Sequence, residues 1–197
     1  RRKAKVDNFS FLYGSTKMVA ERLWIQANIF ARNKFPIFSI VRYGNVIGSR
    51  GSVVPLFKSQ AKSGTITITD IGMTRFWITL DQAVSLIIKA LNAHETGIIL
   101  VPRIPSAKII DVAKAIAPRA KIKPIGIRPG EKLHEELISK YEALRTTMAN
   151  NYYTIYPETL GTCPISMGPL QHISNGLSSN NNNEGLLSVN SIKKLLL

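Results

Sequence analysis

A single cysteine, Cys163, in 197 residues excludes an internal disulfide and suits a reducing compartment, so a cytoplasmic location is expected. No apolar run approaches the ~18 residues needed to cross a bilayer, and no membrane span is expected. The start, Arg1-Arg-Lys-Ala-Lys5, is basic, but Val-Asp-Asn-Phe-Ser follows it where a secretory signal would place an apolar core. Acidic residues are scarce: 12 Asp and Glu face 26 Lys and Arg, a net charge of +14. That excess fits nucleic acid, an acidic membrane surface or a phosphorylated small substrate. Zinc-finger spacing, a basic helix leading into heptads and an aromatic RNA-binding signature are all lacking, so nucleic acid is not an expected partner. The dinucleotide fingerprint G-x-G-x-x-G is absent as well, and no internal repeat is visible.

What is present is ordinary for a globular chain: 45% apolar and 19% charged residues, enough for one sizeable core with a small appendage. Val19, Leu23, Ala27 and Phe30 recur at near-helical spacing and predict a helix over 13–33, ended by Phe35-Pro36. Ile37 to Tyr43 reads as a buried strand, Val54 to Lys62 as a helix stopped by Gly64, and Ile66 to Asp70 as a short strand. Thr79 or Asp81 can cap a helix through Leu91; Ile98 to Val101 reads as a strand closed by Pro102. Ser106 to Ala117 reads as helix, Pro124 to Ile127 as extended, and Arg128 to Lys132 as a turn into a helix through Leu133 and Leu137. The aromatic run Thr74 to Thr79 fits no template. Strands alternating with helices argue for an α/β fold with a largely parallel sheet. From Leu160 onward Ser, Asn and Gly dominate, and a poorly ordered tail is expected over 158–197, apart from a short helix near Ser188 to Leu197.

Two stretches carry chemistry. Tyr13 and Lys17 stand four apart, on one helical face, and an ammonium beside a phenol favours the phenolate and eases proton exchange. By itself the pair also fits a solvated helix face. Gly44-Asn-Val-Ile-Gly-Ser-Arg-Gly-Ser52 follows a predicted strand, and the carboxyl ends of strands are where open α/β sheets bind ligands. An ordinary connection fits that loop equally. His134 lacks H-E-x-x-H spacing, so no metal is expected.

Tyr13-Gly-Ser-Thr-Lys17, Val41-Arg-Tyr-Gly-Asn-Val46 with Gly48-Ser-Arg-Gly51, Thr74-Arg-Phe-Trp77 and Arg128-Pro-Gly-Glu-Lys132 together resemble the extended short-chain dehydrogenases. The resemblance is narrowest to the inverting UDP-N-acetylglucosamine 4,6-dehydratases of the pseudaminic acid pathway, within the polysaccharide-biosynthesis branch, and it implies a part in flagellin glycosylation. It implies a partial Rossmann-type α/β fold over 1–157 with a small carboxyl-terminal substrate-binding part. It implies NADP as recycled cofactor, UDP-N-acetylglucosamine as substrate and a homo-oligomer in the full-length family. Tyr13 and Lys17 match the residues that contact the nicotinamide ribose and assist hydride transfer. Lys5 matches the lysine that removes and returns the sugar C5 proton. Asn45 matches a substrate contact, and Val46, Ile47, Gly48, Ser49 and Arg50 match a loop beside the cofactor. Val53, Thr69, Arg128 and Glu131 match positions lining the nucleotide-sugar pocket. Two departures imply an impaired enzyme, or an inactive remnant that binds UDP-sugar or a full-length relative. Ala4 stands where the family has an acid that protonates the leaving hydroxyl, and the family's glycine-rich cofactor-binding start has no counterpart in the sequence.

Overall fold

Two apolar cores grow from opposite faces of one buried strand. A computed structural model describes residues 12–31, 35–93, 95–149, 151–158, 171–173, 175–182 and 184–196. The dividing strand is β4 (Thr74–Ile78), buried along its whole length. Successive side chains of a strand point to opposite faces, so Phe76 and Ile78 enter one core and Trp77 the other. β4 pairs in parallel with β2 (Asn45–Val46) and antiparallel with β6 (Ser106–Lys108).

The first core lies on a five-stranded sheet. Its order is β1 (Ile40–Val41), β5 (Ile99–Pro102), β10 (Tyr152–Ile155), β9 (Thr146–Ala149) and β11 (Gln171–His172). β1 and β5 run parallel; the other pairings are antiparallel. A helix packs on each face. α1 (Leu12–Phe30) contributes Ile25 to the face holding Ile99, Val101, Tyr153 and Ile155. α3 (Leu80–Leu91) contributes Leu86 and Ala90 to the opposite face, with Ile98, Leu100 and Tyr156. Thr79 caps α3 by accepting from the Gln82 amide, and Gln82 returns the bond to the Thr79 amide, satisfying two orphan donors.

The second core sits between α2 (Val53–Ala61), the parallel pair β3 (Thr65–Ile68) and β7 (Lys121–Pro124), α4 (Ile109–Ile116) and α6 (Val189–Leu195). Phe57, Ile66, Ile68, Val112, Ala113 and Ile192 fill it. Gly64 follows α2 at φ +73°, the left-handed conformation expected of a helix stop.

The α/β class holds, with parallel pairing at β1/β5, β2/β4 and β3/β7 and antiparallel pairing elsewhere. Three expectations change. Ser106 to Ala117 opens as β6 before α4 begins. The helix expected through Leu133 and Leu137 is an extended segment ending in β8 (Glu136–Ile138). There the carbonyls of Lys132 and Leu133 are taken by Arg75, and that of Leu133 also by the Thr74 amide, so they are not available to a helix. The tail is also ordered outside its expected helix: β12 (Leu177–Ser178) pairs with β8, and Ser179 is fully buried. The expected short helix is α6, which packs on α4 through Ile192.

Candidate functional site

Asn45 and Val46 form β2, and their loop leaves the sheet at the carboxyl end of that strand. The Ile47 amide still bonds to Ile78, after which Gly48 and Gly51 turn the chain at φ +74° and +72°. Amides of Ser49 and Ser52 bond back to Val46 and Ser49, so the loop is two linked turns ending at the start of α2. Ser52 occupies the N-cap, yet its Oγ makes no capping bond and is buried without a partner. Arg50 and Gly48 are exposed; Ile47 and Val53 pack against the second core. Gly44 has a different role from the other two glycines. A Cβ there would lie 2.4 Å from Phe76 Cβ and 2.6 Å from its carbonyl oxygen, so only glycine lets this strand meet β4.

Thr69 lies just past β3 and Arg128 just past β7, the adjacent carboxyl ends of a parallel pair. Here the structure brings three of the expected residues together. Thr69 Oγ1 lies 3.4 Å from Glu131 Oε1, a long bond, and 3.2 Å from Met73 Sδ. Glu131 Oε2 accepts from the Arg128 amide at 3.4 Å, and the Glu131 amide returns a 3.0 Å bond to the Arg128 carbonyl. The Arg128 side chain is exposed, with no ion-pair partner among the described residues. The loop is tethered from below. Arg75, buried in β4, donates to the carbonyls of Thr74, Lys132 and Leu133 and lies 3.5 Å from Glu135. His134 Nδ1 lies 2.8 Å from Thr74 Oγ1, which in turn lies 2.6 Å from Ser179 Oγ.

Tyr13 and Lys17 fall in the first turns of α1, one turn apart, and Lys17 is exposed. Lys5 and Ala4 lie outside the described residues. The helix is joined to the Asn45 strand by a residue that sequence reasoning left without a role. Arg42, three residues before Asn45, donates Nε and Nη2 to Glu21 at 2.8 and 2.6 Å. It also donates Nη1 and Nη2 to Glu142 at 3.0 and 2.7 Å, and Nη1 to the Leu137 carbonyl at 2.9 Å. Glu21 stands one turn beyond Lys17 on α1, and Glu142 belongs to α5 (Lys140–Ala143). One guanidinium therefore fastens the helix with the Tyr13/Lys17 pair to the strand leading into the loop and to β8. Burial works against the charge on Arg42, but bonding to Glu21 and Glu142 outweighs it and raises its pKa. Burial likewise works against the Glu142 carboxylate, but bonds from Arg42 and Ser139 pull its pKa down from 4.5 to about 2.

Residues 4–157 match the family model described as polysaccharide biosynthesis protein. The chain belongs to that family. Over 148 residues it is 48% identical to the UDP-N-acetylglucosamine 4,6-dehydratase (inverting) of Campylobacter jejuni subsp. jejuni, covering 74% of this chain and 44% of that protein. It is 40% identical over 148 residues to a protein named UDP-glucose 4-epimerase from Rickettsia bellii, covering 72% and 43%. Among solved structures it resembles the X-ray structure of Pen from Bacillus thuringiensis, with TM-score 0.81 and 33% identity over 93% of this chain and 56% of that one. The chain spans less than half the length of these two curated relatives. Among the described residues no helix is long and apolar enough to cross a membrane.

Proposed function

We propose that the chain carries the hydride-transfer pair and nucleotide-sugar pocket of a C5-inverting UDP-N-acetylglucosamine 4,6-dehydratase that recycles NADP. The observation that carries this is the family match over 4–157, which contains every site residue named above, together with 48% identity to an enzyme of that name. The residue types fit a pyridine dinucleotide: Arg50 offers an exposed cation for its phosphates, beside an open glycine turn at Gly48. Bound NADP supplies the hydride acceptor and returns the same hydride. Tyr13 takes the proton from the sugar 4-hydroxyl, helped by the Lys17 ammonium. The resulting 4-ketone would acidify the C5 proton, which Lys5 would remove and later return with inversion. With Ala4 in the acid position, the C6 hydroxyl would leave as water with a proton drawn from solvent, to which Tyr13 would release the one it took. Arg128 suits the pyrophosphate because its planar fork bonds phosphate oxygens in pairs. Ala4 cannot protonate the departing hydroxyl, so turnover by this chain is slow.

Ala4 also favours a second reading. Inversion at C4 needs the same oxidation and hydride return but no acid at C6, and the relative named 4-epimerase is 40% identical. The test is calorimetric titration with UDP-N-acetylglucosamine, followed by product analysis with NADP. The wild type is expected to bind, Arg128→Ala to lose at least roughly tenfold in affinity, and product to form slowly. Robust formation of the 4-keto-6-deoxy sugar overturns the impairment, and a C4 epimer as product replaces the dehydratase reading. No heat with wild type or variant removes the pocket.

A further inference from the structure

The proposed site uses few of the chain's cations, and the rest are not spread evenly. Around the second core they come in pairs. Lys58 and Lys62 stand four apart on α2 and its C-cap, Lys121 and Lys123 two apart on β7, and Lys193 and Lys194 side by side in the last turn of α6. The first two spacings place both members on one side of their element. All six are exposed, and none has an ion-pair partner among the described residues. The elements form one body: α2 packs on β3, β3 pairs with β7, and α4 packs against α2, β3 and α6. Within α2, β3, α4, β7 and α6 the single carboxylate is Asp111. Five acids of the rest of the molecule are paired with arginines: Glu21 and Glu142 with Arg42, Glu135 with Arg75, Glu158 with Arg22 and Arg145, and Glu184 with Arg103.

We propose that this cationic body docks against an anionic lipid bilayer surface. Two features favour lipid over a nucleic acid. The paired cations are all lysines, whose ammonium groups are point charges suited to a diffuse anionic layer; the bidentate fork that reads phosphates belongs to arginine. The exposed large apolar residues of these elements are Leu56 and Leu195, both aliphatic, while Phe57 is buried, so no aromatic ring is offered for bases to stack on. Docking is peripheral and electrostatic, and it does not depend on the dehydratase reading.

The test is co-sedimentation of the purified chain with phosphatidylcholine vesicles, with and without a third of phosphatidylglycerol. Binding is expected only to the anionic vesicles at about 0.05 M salt, and to be lost at about 0.5 M as the Debye length shrinks. Lys58→Gln with Lys62→Gln, and Lys121→Gln with Lys123→Gln, should each weaken partitioning roughly 30-fold. Lys89→Gln with Lys140→Gln, exposed lysines outside this body, serves as the control for overall charge and should change it no more than about threefold. All six positions are exposed, so the variants are expected to fold, and circular dichroism checks this. No binding to anionic vesicles at low salt overturns the proposal. So does an equal loss in the control pair, or tighter binding to a duplex DNA than to the vesicles with the same lysine dependence.

Discussion

The two cores present opposite outer surfaces. Around the second, apolar side chains are turned in and unpaired lysines are turned out. Around the edge of the five-stranded sheet large apolar side chains face outward, and Glu21, Arg22 and Arg42 are held in ion pairs. β1 is an edge strand with a helix on each face. On α1, Leu23 is 65% and Phe30 87% exposed; on α3, Leu80 is 65% and Leu91 78% exposed. Two helices extending apolar faces past an edge that is unpaired among the described residues make a surface suited to being covered. Of α2, β3, α4, β7 and α6, only Leu56 and Leu195 expose a large apolar side chain. The comparison predicts that damage inside the second core unfolds it, that damage at the Arg42 junction loosens α1 from β8 and α5 within the first region, and that changes on the outer face of α1 alter association and leave folding intact.

The largest effect is expected inside the second core. Phe57 is 1% exposed and touches the residues that α2, β3 and α4 bring together. Phe57→Ala should cost about 3–5 kcal/mol by lost transfer free energy and a residual cavity. Urea unfolding checks it: a shift in midpoint with little change in slope is expected, and a loss under about 1 kcal/mol would mean that this core is not close-packed.

How far these regions could be read from sequence follows from the range of their contacts. α1, α2 and α3 were legible because their signals are local: a 3.6-residue period, Gly64 as a stop and Thr79 as a cap. β4 was not, because a strand buried on both faces shows no alternation, and Thr-Arg-Phe-Trp-Ile has none. Leu133 and Leu137 have helical spacing, yet Arg75, 57 and 58 residues away, takes the carbonyls a helix would use. The tail reads as disordered by composition, but its polar side chains bind backbone: Asn182 donates to the Ile104 carbonyl at 2.7 Å, and Ser179 accepts from the Glu135 amide at 3.0 Å. For the candidate site, the Thr69, Arg128 and Glu131 cluster was visible only through family resemblance, because its members lie 62 residues apart. Arg42 was visible in neither way, since its partners lie 21 residues before it and up to 100 after.

That junction supplies the next prediction. Arg42→Met leaves Glu21 and Glu142 facing each other, mostly buried and without their cation, and should cost about 3 kcal/mol. The same variant should lose acid sensitivity. Glu142 has a folded-state pKa held below its unfolded value, from 4.5 to about 2, so its contribution to stability is present above about 4.5 and is lost as pH falls toward 2. Wild-type thermal stability should therefore fall across that window, and the fall should be shallower in Arg42→Met. Parallel acid limbs for the two proteins would show that the pair adds no stability.

The smallest effect on folding, and the sharpest test of the contrast between the two faces, concerns the outer side of α1. Leu23 and Phe30 are among the most exposed large apolar side chains, and replacing both with Ser removes apolar surface that the fold never buries. Unfolding free energy should stay within about 0.5 kcal/mol per site of the wild type, the range for surface positions away from caps and cores. Sedimentation velocity should nonetheless show less self-association at high concentration, because a contiguous apolar patch in water gains free energy by being covered. A loss of several kcal/mol would mean that these side chains are buried by the chain itself. Unchanged self-association would move the sticky surface to α3, where Leu80 and Leu91 offer the same chemistry on the other side of β1.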